Sequence, residues 1–124
     1  MSETKNPIAL IVEDDSKLAE IFTQAIKMAG YEIRLAVNAQ KAFDLLAVCV
    51  PAIILLDLHL PDGSGEKILI HIRQVDHLKN SIVILNTSDS IMADALREQS
   101  DFVLLKPVSF SQLRDLAVRL RPGG

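Results

Sequence analysis

The stretch Ala52-Ile53-Ile54-Leu55-Leu56-Asp57 decides the fold. Its apolar part is one strand long, and a run apolar on both faces of the pleat suits a strand covered on both sides, as in a parallel sheet. It stops at an acid. Runs of the same length and character occur at Ile8–Val12, Ile33–Val37, Ile82–Leu85 and Phe102–Leu105. Between them lie segments with helical spacing. The first carries Leu18, Ile21, Phe22, Ala25 and Ala29 on one stripe, with Ser16 placed as N-cap and Gly30 as a C-terminal stop. The second follows a cap at Asn38, turns Ala42, Phe43, Leu45 and Leu46 inward, and ends before Pro51. The third has Ile68, Leu69, Ile72 and Val75, and a short fourth covers about 91–99. The fifth opens on the capping-box pattern Ser109-Phe110-Ser111-Gln112 and continues through Leu113, Leu116, Ala117 and Leu120. The pattern is a strand followed by a helix, five times over. It predicts an α/β fold, an open five-stranded parallel sheet with helices on both faces and right-handed crossovers.

With 124 residues, one domain is expected, 1–124 with a core of about 8–120, and the tails Met1–Pro7 and Arg121–Gly124 are the only linker-like segments. A chain this long buries roughly two-thirds of its unfolded surface without staples. The single cysteine, Cys49, cannot form an internal disulfide and reads as a small packing residue, so a cytoplasmic location is expected. Thirteen Lys+Arg against 16 Asp+Glu give a net charge of −3 with no basic run, which argues against direct nucleic-acid binding. The segment before Ile8 is too short for a signal sequence, and the longest nearly apolar stretch, Leu45–Leu56, falls short of the ~20 residues that cross a bilayer. No membrane partner is expected.

In sheets of this kind function sits beyond the carboxyl ends of the strands. Glu13-Asp14-Asp15 follow the first strand, Asp57 the third, Asn86-Thr87-Ser88 the fourth and Lys106-Pro107 the fifth. Taken singly, each is an ordinary loop or helix-start residue. Taken together they form a chemical set. Close carboxylates repel unless a cation neutralises them, and hard oxygen ligands suit Mg²⁺. A lysine beside them supplies a compact counter-charge for a phosphoryl group. Asp57, directly after an apolar strand, is the best placed nucleophile, and carboxylates serve so where an aspartyl phosphate forms. His71 and His77 have no second ligand at metal spacing and read as surface or edge residues, and Asp62-Gly63-Ser64-Gly65 reads as a turn without a phosphate-loop lysine.

The segments Val12–Asp15, Leu55–Gly65 and Leu104–Pro107 resemble the receiver domain of bacterial two-component response regulators, over about Ile8 to Leu120. The resemblance implies a doubly wound, flavodoxin-like (βα)5 sheet in the order 2-1-3-4-5. It also implies a phosphorelay role: Asp57 as phosphoacceptor from a histidine kinase or phosphotransfer protein, with switched binding of an unknown downstream protein. Asp14 would ligate Mg²⁺ directly, Glu13 mainly through a metal-bound water, and the His59 backbone carbonyl would join Asp57 as a further ligand. Lys106 would pair with the phosphoryl oxygens, and the Lys106–Pro107 bond would be cis. The sequence departs from the family pattern in three places. The switch hydroxyl at the end of strand four falls on Asn86 in an ungapped alignment, while a one-residue shift would assign it to Thr87. Val103 stands where the family has Tyr or Phe, with Phe102 one position early, and the segment after strand four is about two residues short. Two other functions compete with a non-enzymatic receiver: a pseudo-receiver that keeps the fold as an interaction module without phosphorylation, and a Mg²⁺-dependent phosphatase using Asp57. The chain has no insertion long enough for a phosphatase cap.

Overall fold

The computed structural model of the chain describes residues 6–123. Its elements alternate as the periodicity predicts: β1 (Ile8–Val12), α1 (Ser16–Met28), β2 (Glu32–Ala36), α2 (Ala39–Leu46), β3 (Ile53–Leu56), α3 (Gly65–Gln74), β4 (Ile82–Thr87), α4 (Ser90–Ala95), β5 (Phe102–Leu105) and α5 (Phe110–Leu120). The five strands form one parallel sheet in the order β2-β1-β3-β4-β5. All of β3 and the last four residues of β1 are buried.

Alternation of side chains along the strands divides the core in two. Leu10, Val12, Ile54, Leu56, Val83 and Leu85 face α2 and α3, meeting Ala42, Leu46, Ile68, Leu69 and Ile72. Ala9, Ile11, Ile53, Leu55 and Ile84 face α1 and α5, meeting Phe22, Ala25, Ile26, Leu113 and Ala117. Double coverage is complete only for the central strands. The outermost strands β2 and β5 are partly exposed, with Leu35, Phe102 and Leu105 reaching solvent, because each has a neighbour on one side only.

Local signals are borne out with small shifts. Asp15, not Ser16, caps α1: its carboxylate accepts the N–H groups of Lys17 and Leu18, and Ser16 is the first helical residue. The buried stripe of α1 runs through Ala19, Phe22, Ala25 and Ile26, while Ile21 lies at its exposed margin. Asn38 and Ser109 cap α2 and α5 as expected. The fourth helical segment breaks into α4 and a 3-10 turn at Arg97–Gln99. Arg73 of α3 holds this short connection in place by donating to the Gln99 and Ser81 carbonyls and to Asp101. Of the expected tails, Met1–Lys5 and Gly124 lie outside the described residues. Asn6 and Arg121 are tied in, since Arg121 donates to the Gly30 carbonyl and to Asn6 Oδ1.

Tyr31, between α1 and β2, is 2% exposed, and its hydroxyl donates to the Ala117 carbonyl at 2.7 Å. Burial pushes its pKa up to about 12, against about 10 for a free phenol. The folded chain therefore holds this proton more tightly than the unfolded chain, and stability should fall as pH rises from about 10 to about 12. Tyr31→Phe should cost about 1 kcal/mol at neutral pH through the lost hydrogen bond, and should lack that alkaline decline. Urea unfolding across this pH range, with the phenolate absorbance of the chain's only tyrosine, checks both.

Candidate functional site

The sheet register assembles the site. Val12 pairs with Leu56, Leu56 with Leu85, and Asn86 with Leu104. The Asp57 N–H donates to the Val12 carbonyl and the Lys106 N–H to the Thr87 carbonyl, which carries the ladder one residue past the strands. Glu13, Asp57, Asn86 and Lys106 therefore continue the rows of Ile11, Leu55, Ile84 and Leu104, on the α1/α5 face of the sheet. Asp14 and Thr87 have the opposite parity.

Glu13 is 1% exposed and Asp57 5% exposed, so two carboxylates share a poorly hydrated corner. Lys106 Nζ lies 3.1 Å from Glu13 Oε1 and 3.5 Å from Asp57 Oδ2. Burial pushes the Glu13 carboxyl above its ordinary value, an effect opposed by the Asp15 N–H on Oε2 and by the ammonium. Burial alone would lower the Lys106 pKa, but its hydrogen bond to Glu13 and the charge of Asp57 outweigh that and raise it. One cation thus faces two carboxylates, and Asp14, exposed at the rim, adds a third. Carboxylate oxygens of Glu13, Asp14 and Asp57 lie within 4.8 Å of one another. A compact set of hard oxygens carrying an excess of negative charge fits a small divalent cation.

The β4 strand is longer than the sequence suggests and includes both Asn86 and Thr87. Asn86, on the same face as Asp57, is 1% exposed, and its Oδ1 is buried without a hydrogen-bond partner, an amide with unfilled capacity. Thr87 Oγ1 instead accepts the Asp89 N–H. The bond Lys106–Pro107 is cis.

Between β3 and α3 the chain forms a hairpin, His59–Leu60 against Gly63–Ser64, that sequence reading treats only as a turn. Its return limb packs onto the site: a Cβ added to Gly65 would collide with the Asp57 carbonyl and stand 2.8 Å from Leu58 Cα. The His59 N–H faces Asp57 Oδ1 at 3.3 Å, and its ring Nε2 lies 3.0 Å from Asp89 Oδ2. At the tip, Asp62 accepts the N–H groups of Ala39 and Gln40, and the Gln40 and Ala39 donors hold its carboxyl below the ordinary range. Asp62 and Asp89 are the contributors that sequence reading missed. Asp62 had a signal, an acid in a Pro-Asp-Gly turn. His71, half-buried, packs edge-on against Phe43, and His77, exposed, reaches the Leu46 carbonyl. Cys49 is half-buried, and burial pushes its thiol up.

Comparison with known proteins follows the same outline. The model of the response regulator receiver domain matches residues 9–118. The transcriptional regulatory protein DpiA of Escherichia coli K12 is 32% identical over 115 residues, covering 90% of this chain and 51% of the relative. The chain spans about half or less of the curated relatives it matches. Among solved structures, the signal receiver domain of a DNA-binding response regulator (merR) from Colwellia psychrerythraea 34H is 28% identical. It has a TM-score of 0.81 and covers 93% of this chain and 98% of that one. The chemotaxis response regulator CheY4 of Vibrio cholerae has a TM-score of 0.84 at 18% identity, covering 94% and 99% of the two chains, a likeness of fold.

Removing the ammonium should expose the strain in the corner. Without divalent cation, Lys106→Met should lose about 1–3 kcal/mol at neutral pH, since Glu13 and Asp57 are left buried and unpaired. Glu13, already raised, then binds a proton more tightly folded than unfolded, so the deficit should shrink as pH falls through the carboxylate range. Urea midpoints of both proteins at neutral and acid pH measure it, and a deficit independent of pH would contradict this origin.

Proposed function

The chain belongs to the response regulator receiver domain family, the signalling domain of two-component systems, and we propose that it accepts a phosphoryl group on Asp57 in a Mg²⁺-dependent step. The donor is the phosphohistidine of a histidine kinase or phosphotransfer protein. The observation that carries this reading is the Glu13–Asp14–Asp57 cluster closed on one side by Lys106.

An Asp57 carboxylate oxygen attacks phosphorus, the phosphorus–nitrogen bond to the donor imidazole breaks, and an acyl phosphate forms. Asp57 suits the nucleophile's part because it stands at the floor of the site with its backbone fixed by the Val12 carbonyl. Asp14, Glu13, Asp57 and the His59 backbone carbonyl are the oxygens that would hold Mg²⁺, Asp14 directly and Glu13 chiefly through water. The ion, when bound, supplies charge neutralisation for the incoming phosphoryl oxygens. Lys106 is poised to exchange its Asp57 contact for a phosphoryl oxygen. Asn86, on the Asp57 face, takes the switch position and can donate through its amide nitrogen, while Thr87 secures the loop behind it.

Among the described residues no helix is long and apolar enough to cross a membrane. We assign the chain to the cytoplasm, with 1–124 as one receiver domain whose phosphorylation alters its affinity for a downstream protein, and with neither nucleic acid nor membrane as a direct partner of this domain.

Incubation with acetyl phosphate and Mg²⁺ should add one phosphoryl group by intact mass. Chelation of the metal should prevent the addition, and Asp57→Asn should abolish it. Full labelling of that variant would overturn the assignment of Asp57, and an unlabelled wild type would favour a pseudo-receiver. In a calorimetric Mg²⁺ titration, Asp14→Ala should weaken binding on the order of tenfold or more. Asp15→Ala should bind as the wild type does, because Asp15 is committed to the cap of α1.

A further inference from the structure

A cation site built from side chains can be tuned by rotamers, but a backbone carbonyl can be aimed only by placing its loop. In this protein that loop is the hairpin 59–64, which carries the His59 carbonyl. At its base Gly65 presses against the Asp57 backbone, and the Gly65 N–H donates to the Leu58 carbonyl at 2.9 Å. The far end needs a separate anchor. Asp62 Oδ1 accepts the Ala39 N–H at 2.7 Å and Oδ2 accepts the Gln40 N–H at 3.0 Å, a two-pronged grip on the first donors of α2. Those donors have no partner within their own helix, and α2 has its own cap besides, since Asn38 Oδ1 takes the Lys41 N–H. The grip also reaches the other wall of the site, because β2 leads into α2 and the Ala36 carbonyl accepts the Glu13 N–H.

We propose that Asp62 is a positioning residue for Mg²⁺: by clamping the hairpin tip to the start of α2 it fixes the His59 carbonyl relative to Glu13, Asp14 and Asp57, and so sets the affinity of the acidic site for the ion. The inference rests on the Mg²⁺-dependent reading above. Mg²⁺ requires near-ideal octahedral geometry at about 2.0–2.1 Å, so a loose neutral ligand costs it more than it would a larger ion.

The test is calorimetric titration of the whole chain with Mg²⁺, and with Ca²⁺ for comparison, in wild type, Asp62→Ala, Asp62→Asn and Asn38→Ala. Asp62→Ala should weaken Mg²⁺ binding on the order of tenfold, the effect typical of lost outer-shell support, and Ca²⁺ binding less. Its labelling rate with acetyl phosphate should return to the wild-type value at saturating Mg²⁺. Asp62→Asn keeps one of the two acceptor oxygens and should bind between the wild type and Asp62→Ala. Asn38→Ala loosens the same helix without releasing the hairpin and should bind as the wild type does. Wild-type Mg²⁺ affinity in Asp62→Ala would overturn the inference. So would equal losses in the Ala and Asn variants, which would show a charge effect alone, or equal losses in Asp62→Ala and Asn38→Ala, which would show a helix effect alone. A wild type that binds no Mg²⁺ would overturn the functional reading and this inference with it.

Discussion

Parallel pairing of Val12 with Leu56 brings the first residues past β1 and β3 side by side, and both are acids. Everything distinctive about the site follows from that register. Strand order reverses at β1, with β2 on one side and β3 on the other, so the loops leave in opposite directions and open a crevice above the two carboxylates. A slip of one residue would send Asp57 to the α2/α3 face, away from Glu13 and Lys106. The doubly buried apolar rows prevent that slip. Ile11, Leu55 and Ile84 pack under α1 and α5, and Val12, Leu56 and Leu85 under α2 and α3, so the pattern that makes the core also aims the chemistry.

That corner works against stability. Two carboxylates within it are almost fully buried, and the single ammonium is shared between them at 3.1 and 3.5 Å. Glu13 responds by raising its pKa, a sign that the ionised form is under-solvated. The unpartnered Oδ1 of Asn86 adds an unmet polar atom nearby. Each feature has a cost in the resting chain, and the carboxylate excess is a deficit that a divalent cation would remove on arrival. A site that satisfied its own charge completely would gain less from the ion.

Much of this was legible in the sequence because the informative signals are local. The apolar runs give the strands, Gly30 and the Asn38 and Ser109 caps mark helix ends, and the acids and lysine stand at strand ends where the sheet rule directs attention. What was not legible depends on contacts between distant segments. Whether Asn86 or Thr87 faces Asp57 is a question of parity, and it turns on β4 continuing two residues beyond its apolar run. Asp62 and Asp89 look like turn and cap residues, which they are, and only the folded chain shows that one grips α2 and the other meets His59. The half-exposed edges follow from strand order, since a run such as Phe102–Leu105 reads the same at the centre or at the rim.

The departures from the family pattern gain a physical meaning from the β4–α4 connection. Val103 is half-buried against the core on the α2/α3 side, opposite Leu85, and is too short to sweep between solvent and interior. Phe102, one position earlier, has the other parity and so does not stand in for it. The neighbouring loop, by contrast, has contacts that depend on its position. Asp89 caps α4 through the Met92 N–H, takes His59 on its other oxygen, and gives its own N–H to Thr87. Three polar links thus meet at a residue three positions beyond Asn86. Because a ligand shifts a conformational equilibrium only through contacts that differ between states, those links are places where states can differ, as is the Lys106–Asp57 contact. With the segment after the short α4 held by Arg73 through the Gln99 carbonyl and Asp101, Asp89 joins the hairpin, the end of β4 and the start of α4 at one residue near Asp57.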